Sequence, residues 1–147
     1  MNSSILGFAA LKWRGAYNST KFAMEGWADT LRLELYSSNI RVILIEPGPI
    51  TSDIRIKSRE HFEKWIDWKN AARREHYETR LKPRLYEESR TPDRFELPAK
   101  AVTDIVAKAL ESGNPKARYR ITTPTKIAAV LKRILTTRAM DRALNKL

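Results

Sequence analysis

The sequence predicts an α/β fold with a parallel sheet, and two observations carry this prediction. Residues 42–45 read Val-Ile-Leu-Ile between Asn39 and Pro47, a continuous apolar run that is typical of a strand buried on both faces of a parallel sheet. A helical segment precedes this run, and Ser4 marks the end of an earlier strand, so the chain opens with a strand–helix–strand unit. We therefore expect part of a doubly wound parallel sheet.

The first predicted helix follows a loop containing Gly15, runs to Leu35 and carries a pattern for acid–base chemistry. Tyr17 and Lys21 are four residues apart and so share one helix face, where the ammonium favours the phenolate. A free phenol has a pKa of about 10 and is a poor base near neutrality, so a nearby lysine brings the group closer to general acid–base work. A solvated pair on the helix surface is the structural alternative.

Ser4 and the Pro47-Gly48 turn are expected beside this pair. Ser4 stands thirteen residues before Tyr17, and its hydroxyl can hydrogen-bond a carbonyl or alcohol oxygen. Ligands of open α/β sheets bind beyond the carboxyl ends of the strands, where both Ser4 and Gly48 would lie. The combination predicts the interconversion of carbonyls and alcohols in one crevice.

Residues 53–95 are charged and aromatic, and they predict a helical region. Phe62, Trp65, Ile66 and Lys69 have helical spacing. The aromatic residues either line an apolar pocket or pack inward from amphipathic helices, and the second interpretation is favoured for any one of them. His61 and His76 have no partner at metal-ligand spacing, so no metal site is predicted.

The remaining chain predicts a helix, a short strand and a basic helix. Leu97 and Pro98 open a helix that ends near Gly113, and residues 118–122 form the last strand. Residues 124–147 then form one amphipathic helix, whose apolar stripe comprises Ile127, Val130, Leu131, Ile134 and Leu135.

Positive charge is concentrated at the carboxyl end. Residues 116–147 hold nine of the 28 basic residues and one of the 17 acidic residues, so they contribute +8 of the formal net charge of +11. Such a segment can bind an anionic membrane surface, or a nucleic acid by counterion release. The favoured alternative is a solvated helix face whose stripe covers the core or a subunit contact, and no specific nucleic-acid motif is present.

The segment from Ser4 to Ser52 resembles the short-chain dehydrogenases/reductases, whose catalytic core is a serine, a Tyr-x-x-x-Lys pair and a strand ending in Pro-Gly. The resemblance implies that Tyr17 donates or accepts the proton, that Lys21 assists it and binds the nicotinamide ribose, and that Ser4 orients the substrate oxygen. Pro47, Gly48 and Ile50 resemble the nicotinamide-contacting loop. Ser52, in preference to Thr51, stands where the family has a cofactor-binding threonine.

The family resemblance also implies a cofactor, a substrate class and partners. Residues 2–55 resemble most closely the subgroup that reduces aldehydes, retinol and steroids, which implies a Rossmann-like sheet, a small carbonyl or alcohol substrate and NAD(P), with NADPH favoured. Members commonly pair the helix that carries the tyrosine, so a homo-oligomer is expected, with Phe22, Trp27 and Leu31 facing either the partner or the sheet.

One part of the family pattern is missing from these 147 residues. The five glycines nowhere form the glycine-rich turn that receives a dinucleotide pyrophosphate, and no asparagine corresponds to the family's fourth catalytic residue. We therefore expect the carboxyl-terminal part of a longer enzyme, inactive alone and dependent on a complementing amino-terminal half. A non-catalytic remnant is the alternative.

The expected organisation is a catalytic segment at residues 1–52, a helical lid at 53–95, the last helix and strand at 96–123, and the basic helix at 124–147. The chain has no cysteine and no run of eighteen apolar residues, and its first eleven residues lack a signal-peptide pattern. A cytoplasmic location is the resulting expectation.

Overall fold

The computed structural model describes residues 1–87 and 91–146, which form a mixed α/β structure with mostly helices. The chain divides into two compact units, Met1–Ile50 with Arg94–Leu147, and Thr51–Asp93. In the first unit the elements are α1 (Gly15–Glu34), β1 (Leu44–Glu46), α5 (Lys100–Glu111), β2 (Arg118–Arg120), α6 (Thr123–Ile134) and α7 (Thr137–Asn145). The second unit contains α2 (Ile54–Trp65), α3 (Arg74–His76), a π-helical turn (Tyr77–Leu81) and α4 (Lys82–Tyr86).

A small parallel sheet organises the first unit, as the sequence predicts. β1 pairs in parallel with β2, with Leu44 opposite Arg118 and Glu46 opposite Arg120. The extended amino terminus flanks the other side of β1, because the Ile45 amide donates to the Met1 carbonyl at 2.9 Å and the Ser3 amide donates to the Ile45 carbonyl at 2.8 Å. The strand–helix–strand order is therefore present, and it is compatible with part of a doubly wound sheet.

The strand boundaries differ from the prediction. β1 is Leu44–Glu46 rather than residues 42–45, and it includes the wholly buried carboxylate of Glu46. The hydrogen bonds to the segment containing β2 begin at Leu44. Its amide donates to the carbonyl of Ala117, the residue before β2, at 2.9 Å. β2 ends at Arg120 rather than at residue 122, because Thr122 already stands immediately before α6.

The second unit has its own aromatic cluster. Phe62 and Trp68 are buried, the Phe62 and Tyr77 rings lie 6.1 Å apart, and the Lys82 ammonium lies 3.8 Å from the centre of the Trp68 ring. The helical spacing predicted through Lys69 is wrong, because α2 ends at Trp65 and Ile66 takes an extended backbone. The predicted lid also includes residues 88–90, which lie outside the described residues.

The carboxyl-terminal segment forms two helices where the sequence predicts one. Leu135 and Thr136 have extended backbones, and the Thr136 hydroxyl caps α7 by accepting from the Ala139 amide at 3.4 Å. Both helices pack against the chain that follows Ser4, in a cluster formed by Ala9, Ala128 and Met140 with Ile5, Phe8, Leu131, Leu135 and Leu144. Within the described part of the chain, no helix is both long and apolar enough to cross a bilayer. Leu147 lies outside that part.

Candidate active site

Ser4 lies at the carboxyl end of the amino-terminal strand, beside the end of β1. The amide of Ile5 donates to the carbonyl of Pro47 at 2.8 Å, so Ser4 and the Pro47-Gly48 turn are neighbours across the sheet. Ser4 has extended backbone angles and begins a short 3-10 helix, Ile5–Gly7, by accepting from the Leu6 amide at 3.1 Å. This hydrogen bond uses the serine oxygen as an acceptor and leaves its O–H free to donate to a ligand.

Tyr17 and Lys21 lie together on the amino-terminal half of α1. The Lys21 ammonium is 5.6 Å from the centre of the Tyr17 ring, the close approach that four-residue helical spacing predicts. Lys21 also donates to the Asn2 carbonyl at 2.8 Å, which ties α1 to the strand that leads into Ser4. Within residues 1–87 and 91–146, the Tyr17 hydroxyl makes no hydrogen bond to the protein, and the side chain is 38% exposed.

The loop that precedes α1 is held in a fixed conformation. Asn18 is buried, and its side-chain amide donates to the Leu11 carbonyl at 3.1 Å. Trp13 has a φ of 65°, a left-handed conformation that non-glycine residues rarely adopt. Such conformations persist only when their surroundings impose them and are common at functional sites. The segment between Ser4 and Tyr17 is therefore constrained where it enters α1.

The Pro47-Gly48 turn approaches a pair of buried hydroxyls. Thr122 and Thr125 are wholly buried, and their hydroxyl oxygens lie 2.8 Å apart in a hydrogen bond. A side chain at Gly48 would overlap the Thr122 hydroxyl and lie 2.5 Å from the Thr125 hydroxyl. Gly48 is thus required by close packing against the start of α6. In the sequence, Thr122 and Thr125 are recognisable only as residues near the start of a helix. Their contact with Gly48 could therefore not be predicted.

An ion-pair network joins the helix that bears Tyr17 to both strands. Arg118 on β2 pairs with Glu25 at 3.2 Å and Asp29 at 2.6 Å on α1, and with Glu46 at 3.0 Å on β1. Arg120 pairs with the other oxygen of Glu46 at 2.9 Å. Because Glu46 precedes Pro47 directly, the network fixes the end of β1 relative to α1. The sequence could not indicate it, since its members are scattered along the chain.

The pKa values of two carboxyl groups in this network are shifted in opposite directions. Burial raises the pKa of Glu46, the nearby Glu25 carboxylate acts in the same direction, and Arg120 and Arg118 offset only part of the effect. Burial also acts to raise the pKa of Asp29, but hydrogen bonds from Arg32 and Arg118 outweigh it and hold that pKa below its ordinary value.

In the structure, some of the predicted site residues lie closer together than others. Tyr17, Lys21 and the strand leading to Ser4 are linked directly, and Ser4 adjoins Pro47. Ile50 follows the turn in a parallel bridge with Leu97. Ser52 is exposed and belongs to the second unit, so its predicted contact with the cofactor stays a prediction.

Comparison with known proteins agrees with this geometry. Residues 1–63 match the family model described as short chain dehydrogenase. The match includes the amino-terminal strand, the 3-10 helix, α1, β1 and the Pro47-Gly48 turn, and residues 1–63 contain every predicted site residue.

Curated relatives extend the similarity over nearly the whole chain. The protein is 39% identical to the uncharacterized oxidoreductase YbbO of Escherichia coli over 144 residues, which cover 98% of this chain and 46% of YbbO. It is 30% identical to the NADPH-dependent 3-dehydrocapnine reductase of Ornithobacterium rhinotracheale over 125 residues, which cover 85% of this chain and 41% of that protein. Retinol dehydrogenase 8 of Bos taurus is 36% identical over 58 residues, 40% of this chain and 19% of the relative. The chain thus spans less than half the length of these relatives.

Proposed function

Because the chain belongs to the short-chain dehydrogenase/reductase family of oxidoreductases, we propose that it supplies the catalytic residues of an NAD(P)-dependent enzyme that interconverts a carbonyl and an alcohol. The observation that carries the proposal is the joint placement of Lys21 against Tyr17 and of Ser4 against the Pro47 turn. These groups stand at the carboxyl edge of a parallel sheet, where ligands of such folds bind.

In the proposed mechanism Tyr17 exchanges a proton with the substrate oxygen. Tyr17 is 38% exposed, and its hydroxyl is free of protein hydrogen bonds in the described residues, so it is available to a ligand. Ser4 donates its O–H to the same oxygen while its own oxygen remains held by the Leu6 amide. The Lys21 ammonium lies 5.6 Å from the centre of the Tyr17 ring and is positioned by its hydrogen bond to the Asn2 carbonyl. In this proposal the two hydroxyls bind and orient one oxygen, while Lys21 assists Tyr17.

The residues present fit the nicotinamide end of the proposed cofactor. Lys21 offers a cation and hydrogen-bond donor for a ribose, and the turn from Pro47 to Ile50 offers backbone groups that the tight packing of Gly48 holds in place. When bound, a nicotinamide cofactor supplies or accepts a hydride. NADPH is the favoured form, in keeping with the NADPH-dependent reductase of Ornithobacterium rhinotracheale.

We propose further that turnover requires a pyrophosphate-binding segment beyond these 147 residues. The sequence contains no glycine-rich turn, and helix amino termini behind such turns are what normally receive the pyrophosphate. The chain alone is then inactive, and a complementing segment restores the dinucleotide site. This proposal retains the family chemistry for Ser4, Tyr17 and Lys21 without assigning turnover to the chain in isolation.

A reconstitution assay tests the proposal. The part of YbbO that this chain does not match would be produced separately and mixed with the chain, and NADPH oxidation would be followed with a panel of aldehydes and ketones. We expect turnover only in the mixture. Titration of the chain alone with NADPH, followed by nicotinamide fluorescence, should show no binding at micromolar concentrations. Tight binding by the chain alone would contradict the need for a second segment.

We also propose a homo-oligomer formed through α1. Phe22 and Trp27 are 40% and 62% exposed, so they do not pack on the sheet, and the family resemblance favours a helix pair there. Sedimentation velocity should then show a dimer or larger species that is weakened by Trp27→Ser. A species that remains monomeric at all concentrations would count against it.

A further inference from the structure

Helix α6 has one face packed on the protein and another face that is apolar and uncovered. Thr125, Ala128 and Ala129 are buried on the packed face. On another face Ile127, Val130 and Ile134 are 52%, 58% and 70% exposed. Residues three and four apart lie on one side of a helix, so these three form a stripe about 10 Å long, which we call the α6 stripe.

The apolar residues predicted on the carboxyl-terminal helix fall into two groups, one packed and one exposed. Leu131 and Leu135 pack against the cluster around Ala9 and Met140, as expected for core residues. The three residues of the α6 stripe do not take part in that cluster. A contiguous exposed apolar patch rimmed by polar residues is typical of a binding site.

Positive charges without acidic partners surround the α6 stripe. Lys126 and Arg133 directly precede Ile127 and Ile134 and are exposed, and α6 contains no acidic residue. Residues 121–146 hold six basic residues and one acidic residue. Among residues 1–87 and 91–146, the ion pairs within 4.0 Å involve none of these six, whereas Arg118 and Arg120 are neutralised by carboxylates.

We propose that the α6 stripe and its flanking cations bind the surface of an anionic lipid membrane, with α6 lying in the interfacial plane. Isoleucine and valine would enter the boundary between headgroups and acyl chains, while Lys126 and Arg133 meet lipid phosphates and carboxylates. The charge also argues against a second copy as the occupant, because a two-fold pair of this face would bring the same cations together. A nucleic acid would leave the isoleucines without an apolar partner.

Vesicle flotation tests the proposal on the intact chain. Vesicles of phosphatidylserine and phosphatidylcholine would be compared with vesicles of phosphatidylcholine alone, at low and high salt. We expect the protein to float with the anionic vesicles at low salt, to bind the neutral vesicles much less, and to be released as salt rises, because surface charges are screened. A chain that stays in solution with the anionic vesicles at low salt would overturn the proposal.

Two double variants separate the contribution of this surface from that of the net charge. Lys126→Gln with Arg133→Gln should weaken vesicle binding by about 25-fold, since each cation near an anionic surface contributes about fivefold. The control, Lys57→Gln with Lys108→Gln, removes the same charge from exposed positions elsewhere and should leave binding within about threefold of the unchanged protein. Equal losses in both would mean that net charge alone drives binding, which would overturn the assignment to α6.

The apolar contribution is tested in the same way. Ile127→Asn with Ile134→Asn should weaken binding by at least about tenfold, whereas Leu33→Asn, at a 73% exposed position on α1, should not. All these positions are exposed, so circular dichroism should show the same helix content in every variant. If the isoleucine variant instead dissociates an oligomer in the absence of lipid, the stripe is a contact between copies and the membrane proposal is wrong.

Discussion

Gly48 shows how a single residue connects the proposed cofactor loop to the rest of the fold. The turn can lie directly over the Thr122 and Thr125 hydroxyls only because it has no side chain. Both threonines are wholly buried, so neither can move aside without disturbing the start of α6. A glycine at this position is therefore a packing requirement of the turn, whatever its role toward a ligand.

Gly48→Ala should lower the free energy of unfolding by about 1–3 kcal/mol, because overpacking forces the turn or the threonines to shift. Urea unfolding followed by circular dichroism measures the change. The matched control is Gly113→Ala, where the added methyl group meets nothing within 4 Å and a change within about 0.5 kcal/mol is expected. Equal stability of the two variants would show that the turn does not lie against the threonines.

Glu46 and Asp29 should contribute to the free energy of unfolding with opposite dependences on pH. The folded pKa of Glu46 is raised, so the folded state holds the proton more tightly and the contribution of this group to stability falls as pH rises from its ordinary value through the raised value. The folded pKa of Asp29 is lowered, so its contribution is present above the ordinary value and is lost as pH falls through the lowered value.

Urea unfolding of the unchanged protein, Glu46→Gln and Asp29→Asn, from pH values below the ordinary aspartate pKa of 3.8 up to neutral pH, checks this prediction. The unchanged protein should lose stability relative to Glu46→Gln as pH rises. Relative to Asp29→Asn it should lose stability as pH falls toward the acidic end. A parallel pH dependence in the unchanged protein and Glu46→Gln would mean that the Glu46 carboxylate titrates normally.

At the level of elements, Arg118 links α1 to the two strands through ion pairs. Its guanidinium contacts carboxylates from α1 and from β1 while its own backbone lies in β2. Arg118 is the central cation of this network, so its loss would leave Glu46 with Arg120 as its remaining partner in the network. The proposed positions of Tyr17 and Pro47 depend on the two elements that Arg118 connects.

Arg118→Ala should destabilise the first unit by at least about 2 kcal/mol, because it removes the arginine paired with the buried Glu25 and one of the two arginines paired with the buried Glu46. Arg138→Ala is the control, since Arg138 is exposed and forms no ion pair in the described residues. Its effect should lie within about 0.5 kcal/mol in the same urea titration. A similar loss in both variants would contradict the structural role assigned to Arg118.

The same elements show what the sequence could and could not predict. Periodicity and apolar runs were sufficient for α1, for the parallel pairing and for two amphipathic segments near the carboxyl end. The inclusion of Glu46 in β1 could not be predicted, because its charge is balanced by arginines more than seventy residues away. The break before α7 depends on one capping residue, Thr136. The longer apolar stripe favoured a single continuous helix instead.

On the scale of the whole molecule, the proposed catalytic residues are grouped, and the proposed contacts to the cofactor involve only its nicotinamide end. The proposed catalytic groups and the nicotinamide loop lie in one compact unit, together with the two strands and the carboxyl-terminal helices. The chain covers 46% of YbbO and contains no glycine-rich turn. These two facts support a catalytic part that operates with a further dinucleotide-binding segment, and the α6 stripe would place that assembly at a lipid surface.

The most direct measurement of the central claim is the effect of Tyr17→Phe on turnover in the reconstituted assay. The substitution removes one oxygen and keeps the ring beside Lys21, so a proton donor is lost with little change in packing. We predict a fall in kcat of at least about 100-fold, the usual contribution of general acid–base catalysis, while Tyr36→Phe at an 88% exposed position leaves kcat unchanged. Turnover by Tyr17→Phe at the unchanged rate would contradict the assignment of Tyr17 as the proton donor and, with it, the proposed function.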